Sequence, residues 1–347
     1  VLSVFRPAVA LAAFASLTPC AATDCSFWPG PQAIPASVQA YRPVLKACEA
    51  ADGGRAMSIR EMTIDGESVA LLADPEALTT RLERLACWTC RDASEDELGS
   101  TRMGRAIAAS AEAPGITHRG FLQNAGLTRG ARPGAFVTGD LCPSPKPLDR
   151  GFFARLAATG GHTPVALAVS GLWLTPHPKD FRWLAGQRAA GALDIVWVDL
   201  SYSHPYRRKL PDACNYLLMM CVNPEDEILR TEKLTIASGE TPSLFFRFPG
   251  LVSNDSLMEA VRRFHLVTLD AVSLADCMKK FVRRLRSIAV AGVVRQSGRK
   301  RNRHAGGGSA SHRERNKKNQ QASHHRLPTC HNAGSDKRFR TIPPRAL

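Results

Sequence analysis

Between residues 135 and 269 the sequence alternates short, uninterrupted apolar runs with segments that carry helix-capping signals. The apolar runs fall at 135–138, 165–170, 195–198, 244–246 and 266–269, and amphipathic or capped segments at 149–158, 180–190 and 255–264 lie between them. Asn223-Pro224-Glu225-Asp226 opens a longer helix that stops before Gly239, with N-cap, first-turn proline and C-terminal glycine in their usual places. Strands without polar alternation are buried on both faces, and the helices between them are the crossovers that parallel strands require. The pattern predicts an α/β fold with a parallel sheet, and the number of repeats favours a (β/α) barrel over an open sheet. No glycine fingerprint follows the first strand, which argues against a dinucleotide-binding domain.

Upstream, residues 23–130 read as a small α+β region. Runs at 58–64 and 68–72 flank Asp65-Gly66, a hairpin signal. Asp74-Pro75-Glu76 reads as a helix start, with Leu78, Leu82 and Leu85 as its apolar face. A polar, helical stretch and Gly- and Arg-rich loops follow. Residues 1–22 read as an export signal: Arg6, an apolar stretch over 7–17, then small residues at Cys20-Ala21-Ala22. The stretch is too short to cross a bilayer, and a buried N-terminal helix is the alternative. Ten cysteines fit an oxidising compartment, so the expected location is periplasmic or secreted. Cys87-Trp88-Thr89-Cys90 lacks a second pair at zinc-finger spacing, which favours structural disulfides or buried thiols over a redox or zinc role.

The formal charge of +15 is unevenly placed. Nineteen of the 46 Lys and Arg residues lie in 279–347 against two acids, Glu314 and Asp336, leaving 27 basic and 29 acidic residues upstream. The body is near neutral, so its charge does not point to nucleic acid. From Arg295 onward core-forming residues are almost absent, and the 278–347 segment is expected to be a mostly disordered basic tail. Phe339 is its one aromatic after Phe281, which argues against specific single-strand nucleic-acid recognition. Such a composition is what a shifted reading frame produces. The competing reading is an interaction protein that works through a solvated basic tail.

Three short segments close apolar runs and carry the candidate chemistry: Asp140, the stretch Asp199-Leu200-Ser201-Tyr202-Ser203-His204, and Arg247-Phe248-Pro249-Gly250. A carboxylate at a strand's end serves as a general base if a charge orients it, and otherwise caps a loop N–H. His204 fits either a metal ligand or a hydrogen-bonded surface histidine. Arg247, set between aromatics, needs a carboxylate partner such as Asp140 or Asp270 if it is buried, and otherwise extends to solvent.

In this order the motifs over 131–277 resemble the polysaccharide deacetylase family, the NodB-homology or carbohydrate esterase family four proteins. The resemblance implies a deformed (β/α) barrel and removal of acetyl groups from N- or O-acetylated sugars. The partner it implies is an acetylated polysaccharide or oligosaccharide, and the cofactor a divalent metal, usually zinc, that activates water. The family's T-F-D-D motif supplies a base and a ligand; Thr138-Gly139-Asp140-Leu141 keeps the base and puts Leu141 at the ligand position. The H-S/T-x-x-H motif appears as Leu200-Ser201-Tyr202-Ser203-His204, with one histidine of two. R-x-P is intact as Arg247-Phe248-Pro249, and implies that Arg247 orients the base. D-x-W appears as Asp270-Ala271-Val272, and the L-x-H that supplies the general acid has no counterpart, Val290-Ala291-Gly292 being the nearest segment. The resemblance therefore implies catalytic roles for Asp140, Arg247 and Asp270, with His204 as the remaining metal ligand and Asp199 as a replacement one. Two lost ligand positions and a missing acid leave two readings open: a degraded deacetylase, and a non-catalytic glycan-binding member.

Overall fold

The computed structural model describes residues 25–27, 34–35, 37–113, 115–128, 137–160 and 162–271. The expected export signal, the basic tail, Val272 and Val290-Ala291-Gly292 lie outside the described residues. Among the described residues no helix is long and apolar enough to cross a membrane.

The N-terminal region is an antiparallel sheet of five strands, β1 (Val38–Ala50), β2 (Arg55–Ile64), β3 (Glu67–Ala73), β4 (Thr80–Arg84) and β5 (Trp88–Asp92), in the order β4-β3-β2-β1-β5. Asp65 (φ 49°) and Gly66 (φ 87°) both take left-handed backbone, as a tight turn between β2 and β3 requires. The longest strand, β1, has no counterpart in the sequence reading. Register shifts between Gln39 and Arg42 and between Pro43 and Lys46 break its alternation. Arg42 and Lys46, which look like loop residues, both pair with Glu61 on β2.

The helix expected from Asp74 does not form. Asp74 Oδ1 accepts hydrogen bonds from the N–H groups of Glu76 (2.9 Å) and Ala77 (2.8 Å), which closes a single turn. Leu78 then enters left-handed backbone (φ 61°), and β4 pairs with β3, Leu82 opposite Leu71. The capping signal was real, but burying Leu82 against the sheet overrides the weak local preference for continuing the helix. Cys87 and Cys90 are both disulfide-bonded, to Cys25 and Cys48 respectively and not to each other.

The polar stretch that follows is helical as expected: α1 (Glu95–Gly99) and α2 (Arg102–Glu112), capped by Ser94 and Thr101. The short strands β6 (Ile116–His118) and β7 (Phe121–Gln123) come next. The expected alternation then appears: β8 (Val137–Leu141), α3 (Arg150–Ala157), β9 (Thr163–Val169), α4 (Gly171–Leu174), α5 (Pro178–Ala189), β10 (Leu193–Asp199), α6 (Pro224–Ala237), β11 (Phe245–Phe246), β12 (Val252–Ser253), α7 (Asp255–Arg263) and β13 (Val267–Thr268). Asn223 caps α6 as read, and Gly239 (φ 92°) follows its end. Strand β12 joins β7 and β6 in a separate antiparallel sheet.

The parallel sheet has the order β8-β9-β10-β11-β13, each strand beside its predecessor. One face, with Val165, Leu167, Val169, Ile195 and Trp197, packs on Phe153, Leu156, Trp173, Phe181 and Leu184 from α3 to α5. The other face is lined by smaller groups, Ala166, Ala168, Val198 and Leu200. Among the described residues the ladder is open, with no pairing between β8 and β13, so the closed barrel expected from the repeat count is not seen.

The N-terminal sheet and the parallel sheet share one apolar cluster, in which Ile59, Ile64 and Leu71 meet Ile236, Leu244 and Val267. A buried ion pair crosses the same boundary. Arg60 on β2 is fully enclosed and donates to both carboxylate oxygens of Glu232 on α6 (Nε–Oε2 2.7 Å, Nη2–Oε1 2.9 Å). It also donates to the Ile59 and Phe264 carbonyls, and Tyr41 Oη donates to Glu232 (3.0 Å). With its partners supplied from both regions, the guanidinium is satisfied only when they are docked. Glu232→Gln removes the counter-charge from an enclosed cation and should cost about 3–5 kcal/mol. Urea denaturation checks this, and a loss below about 1 kcal/mol would show the pair to be dispensable.

Candidate functional site

Alternation along β8 sorts its side chains. Val137 and Leu141 pack among the outer helices, which leaves Thr138 and Asp140 on the lined, inner face. Arg247 enters that space from just beyond β11, its backbone N–H held by the Asp199 carbonyl (2.8 Å). Its guanidinium is buried, and Nη1 donates to Asp140 Oδ1 and Thr138 Oγ1, both at 2.7 Å. Longer bonds of 3.4 Å run from Nε to the Leu269 carbonyl and from Nη2 to the Asp270 carbonyl. One cation thus joins β8 to the chain leaving β13. In a flat sheet β11 and β8 stand three spacings, about 14 Å, apart. That exceeds the reach of an arginine, so the sheet must be strongly curled.

Asp270 sits beside this pair. Its Oδ1 accepts from the Ala271 N–H (2.6 Å). Burial pushes its carboxyl up to about 6; the Ala271 bond and Arg247 act against the shift, and Asp140 adds to it.

His204 lies on a loop clamped by two acids. Ser201, in left-handed backbone (φ 65°), donates its N–H to Asp199 Oδ1 (2.6 Å), and its hydroxyl accepts from the His204 N–H (3.1 Å). Ser203 donates its N–H and its hydroxyl to the two oxygens of Glu227 on α6, both at 2.7 Å. The His204 ring is then held with Nε2 3.4 Å from Cys142 Sγ. Burial lowers the histidine's pKa and, with the Asp140 charge, pushes the thiol up to about 11. The consistent arrangement is a neutral imidazole accepting from a protonated thiol.

Four of the five residues singled out from sequence, Asp140, Arg247, Asp270 and His204, therefore lie together: Arg247 bonds the Asp140 carboxylate and the Asp270 carbonyl, and the Asp140 charge acts on His204. Asp199 does not join them. It neighbours Glu232 and Glu227 on α6, and burial followed by the Glu232 charge raises its carboxyl well above the usual range. Its second oxygen, Oδ2, is buried with no hydrogen-bond partner among the described residues. Asp199 thus serves as the clamp of the His204 loop. Cys142 was missed, although its position two residues past Asp140 on one extended segment was a signal that the two share a face.

The donors do not fit a catalytic zinc. Such a site needs three protein ligands around an open position. Among the described residues no three His, Cys, Asp or Glu side chains are grouped to hold a metal ion. Asp140 is engaged by Arg247, His204 by Cys142, and Asp199 faces another element. The two leucines at the lost ligand positions differ in placement: Leu200 is enclosed on the inner face, whereas Leu141 packs toward the outer helices.

No family model matches the chain. Among solved structures it is similar to a family 4 carbohydrate esterase from Streptomyces lividans in complex with acetate, with 18% identity, 45% of this chain and 88% of that one covered, and a TM-score of 0.28. A family 4 carbohydrate esterase from Bacillus anthracis matches at 16% identity, covering 44% and 76%, with a TM-score of 0.28. A family 4 pseudoenzyme from Bacillus anthracis matches at 15% identity, covering 43% and 47%, with a TM-score of 0.29. Likenesses this loose carry no residue roles or activity across to this chain.

The raised Asp270 carboxyl has a measurable consequence. The folded protein keeps this proton up to about pH 6, whereas the unfolded chain releases it near the ordinary aspartate value of 3.8. The native state then binds more protons, so the group lowers stability as pH rises between those values and changes nothing above them. Relative to the wild type, Asp270→Asn should gain stability from pH 4 to pH 7, by at most about 3 kcal/mol at about 1.4 kcal/mol per pH unit. Denaturant titrations across that range check it, and parallel stability curves would contradict it.

Proposed function

We propose that this is a polysaccharide deacetylase-like protein, exported from the cell, that recognises acetylated glycans and no longer carries out metal-assisted hydrolysis. One observation carries the reading: the Asp140–Arg247 pair is complete at 2.7 Å, while among the described residues no three donors around it are grouped as a metal site. The motif order in the sequence supplies the family resemblance. The Cys25–Cys87 and Cys48–Cys90 disulfides support an oxidising compartment.

The pocket's own groups account for binding. Arg247 fixes one oxygen of Asp140, and Oδ2 has no partner among the described residues, so it remains an acceptor for a sugar hydroxyl or an acetamido N–H. Asp270, half-titrated near pH 6, is either donor or acceptor there.

The same groups account poorly for turnover. Amide hydrolysis needs a polarised carbonyl, an activated water and an acid for the leaving amine. His204, neutral and engaged with Cys142, supplies none of these in its observed position. The second reading, a working deacetylase with Asp140 as base, is favoured by the orientation that Arg247 gives that carboxylate.

Calorimetry with tri-N-acetylchitotriose, alongside an acetate-release assay with and without added zinc, separates these readings. The expected result is saturable binding, weakened about tenfold in Asp140→Asn through loss of a charge-assisted hydrogen bond, with no acetate released. Absence of binding would overturn glycan recognition. Zinc-dependent acetate release would select the working deacetylase.

A further inference from the structure

The loop after His204 is tied down more firmly than its surface position demands. Asn215, fully buried, accepts at Oδ1 from the N–H groups of Arg207 (2.9 Å) and Tyr216 (3.0 Å), and donates from Nδ2 to the carbonyls of Arg207 (2.9 Å) and Leu210 (3.2 Å). These bonds hold Tyr216 in left-handed backbone (φ 53°), a conformation that costs an aromatic residue free energy. The strain seats the Tyr216 ring against Gly250, where a Cβ would stand 2.2 Å from the ring's Cζ. A glycine at the end of Arg247-Phe248-Pro249-Gly250 is thus what admits the ring.

From there a chain of ring contacts runs outward from the pocket. His204 meets Tyr216 edge to face at 6.2 Å between centroids, and Tyr206 leans on Tyr216 at 5.4 Å with 33° between planes. Tyr206 is 57% exposed, so core packing does not explain its place. Cys142, in contact with His204 Nε2, connects the rings to Asp140. A rigid aromatic surface thus adjoins a floor of carboxylates and a guanidinium. A pyranose matches both parts: its ring C–H face is apolar, and its hydroxyl and acetamido groups are polar.

We propose that Tyr206 and Tyr216 form a stacking wall for the pyranose ring adjacent to the one that lies over Asp140. This rests on the glycan-recognition reading above and adds the subsite that makes it an oligosaccharide site. Tyr206 is the residue to test, because it is exposed and its removal leaves the Asn215 framework intact. Binding of N-acetylglucosamine and of tri-N-acetylchitotriose is measured by calorimetry for the wild type, Tyr206→Ala and Tyr206→Phe, with circular dichroism confirming the fold of each. The expected result is a five- to tenfold loss of trisaccharide affinity in Tyr206→Ala, near-wild-type affinity in Tyr206→Phe, and unchanged monosaccharide affinity in both (about the range for one aromatic contact). Wild-type trisaccharide binding with no loss in Tyr206→Ala overturns the wall and leaves glycan recognition standing. A wild type that binds neither sugar overturns both.

Discussion

The Arg247 guanidinium sets the shape of the parallel sheet. It reaches Thr138 and Asp140 on one edge strand and the carbonyls of Leu269 and Asp270 past the other. Strands added in sequence order would otherwise spread into a twisted open layer, with those edges far apart. Enclosing a cation is costly unless a carboxylate and further acceptors surround it. Here the acceptors come from opposite edges, so the charge is compensated only when the sheet curls. Curling then brings the ends of β8 and β13 toward one another, with Asp140 and Asp270 on either side of the guanidinium.

That arrangement bears on the ionisation of Asp270. The guanidinium bonds the Asp140 carboxylate but only the backbone carbonyl of Asp270, whose carboxyl is pushed upward by burial and the Asp140 charge. On the far side, Cys142 and His204 satisfy each other. Asp140 and His204 are therefore both engaged by other groups, and Leu200 packs in the apolar inner face.

Much of the parallel sheet was legible because its signals are local. Asn223, Pro224 and Gly239 bound α6, and each apolar run became a strand within a few residues. The Asp65-Gly66 turn was equally plain. What failed depended on distant partners. The alternation of β1 is broken by two register shifts, and its charged residues make sense only once Glu61 lies beside them. The segment after Asp74 carries a sound cap, yet Leu82 gains more by joining β3 than by continuing a helix. The same holds in the pocket. Asp140, Arg247, Asp270 and His204 were found from motif order, whereas the place of Asp199 depends on α6 packing behind β10. Curling of the sheet, too, turns on one side chain's reach and not on how many strands there are.

Native-state hydrogen exchange on Arg247→Met tests this account most directly, because methionine keeps the apolar stem and removes the charge. If Arg247 holds the curl, protection should fall in both edge strands, at 137–141 and 267–270, while β9 and β10 between them stay protected. Unchanged protection at either edge would contradict the claim that this one guanidinium holds the curl.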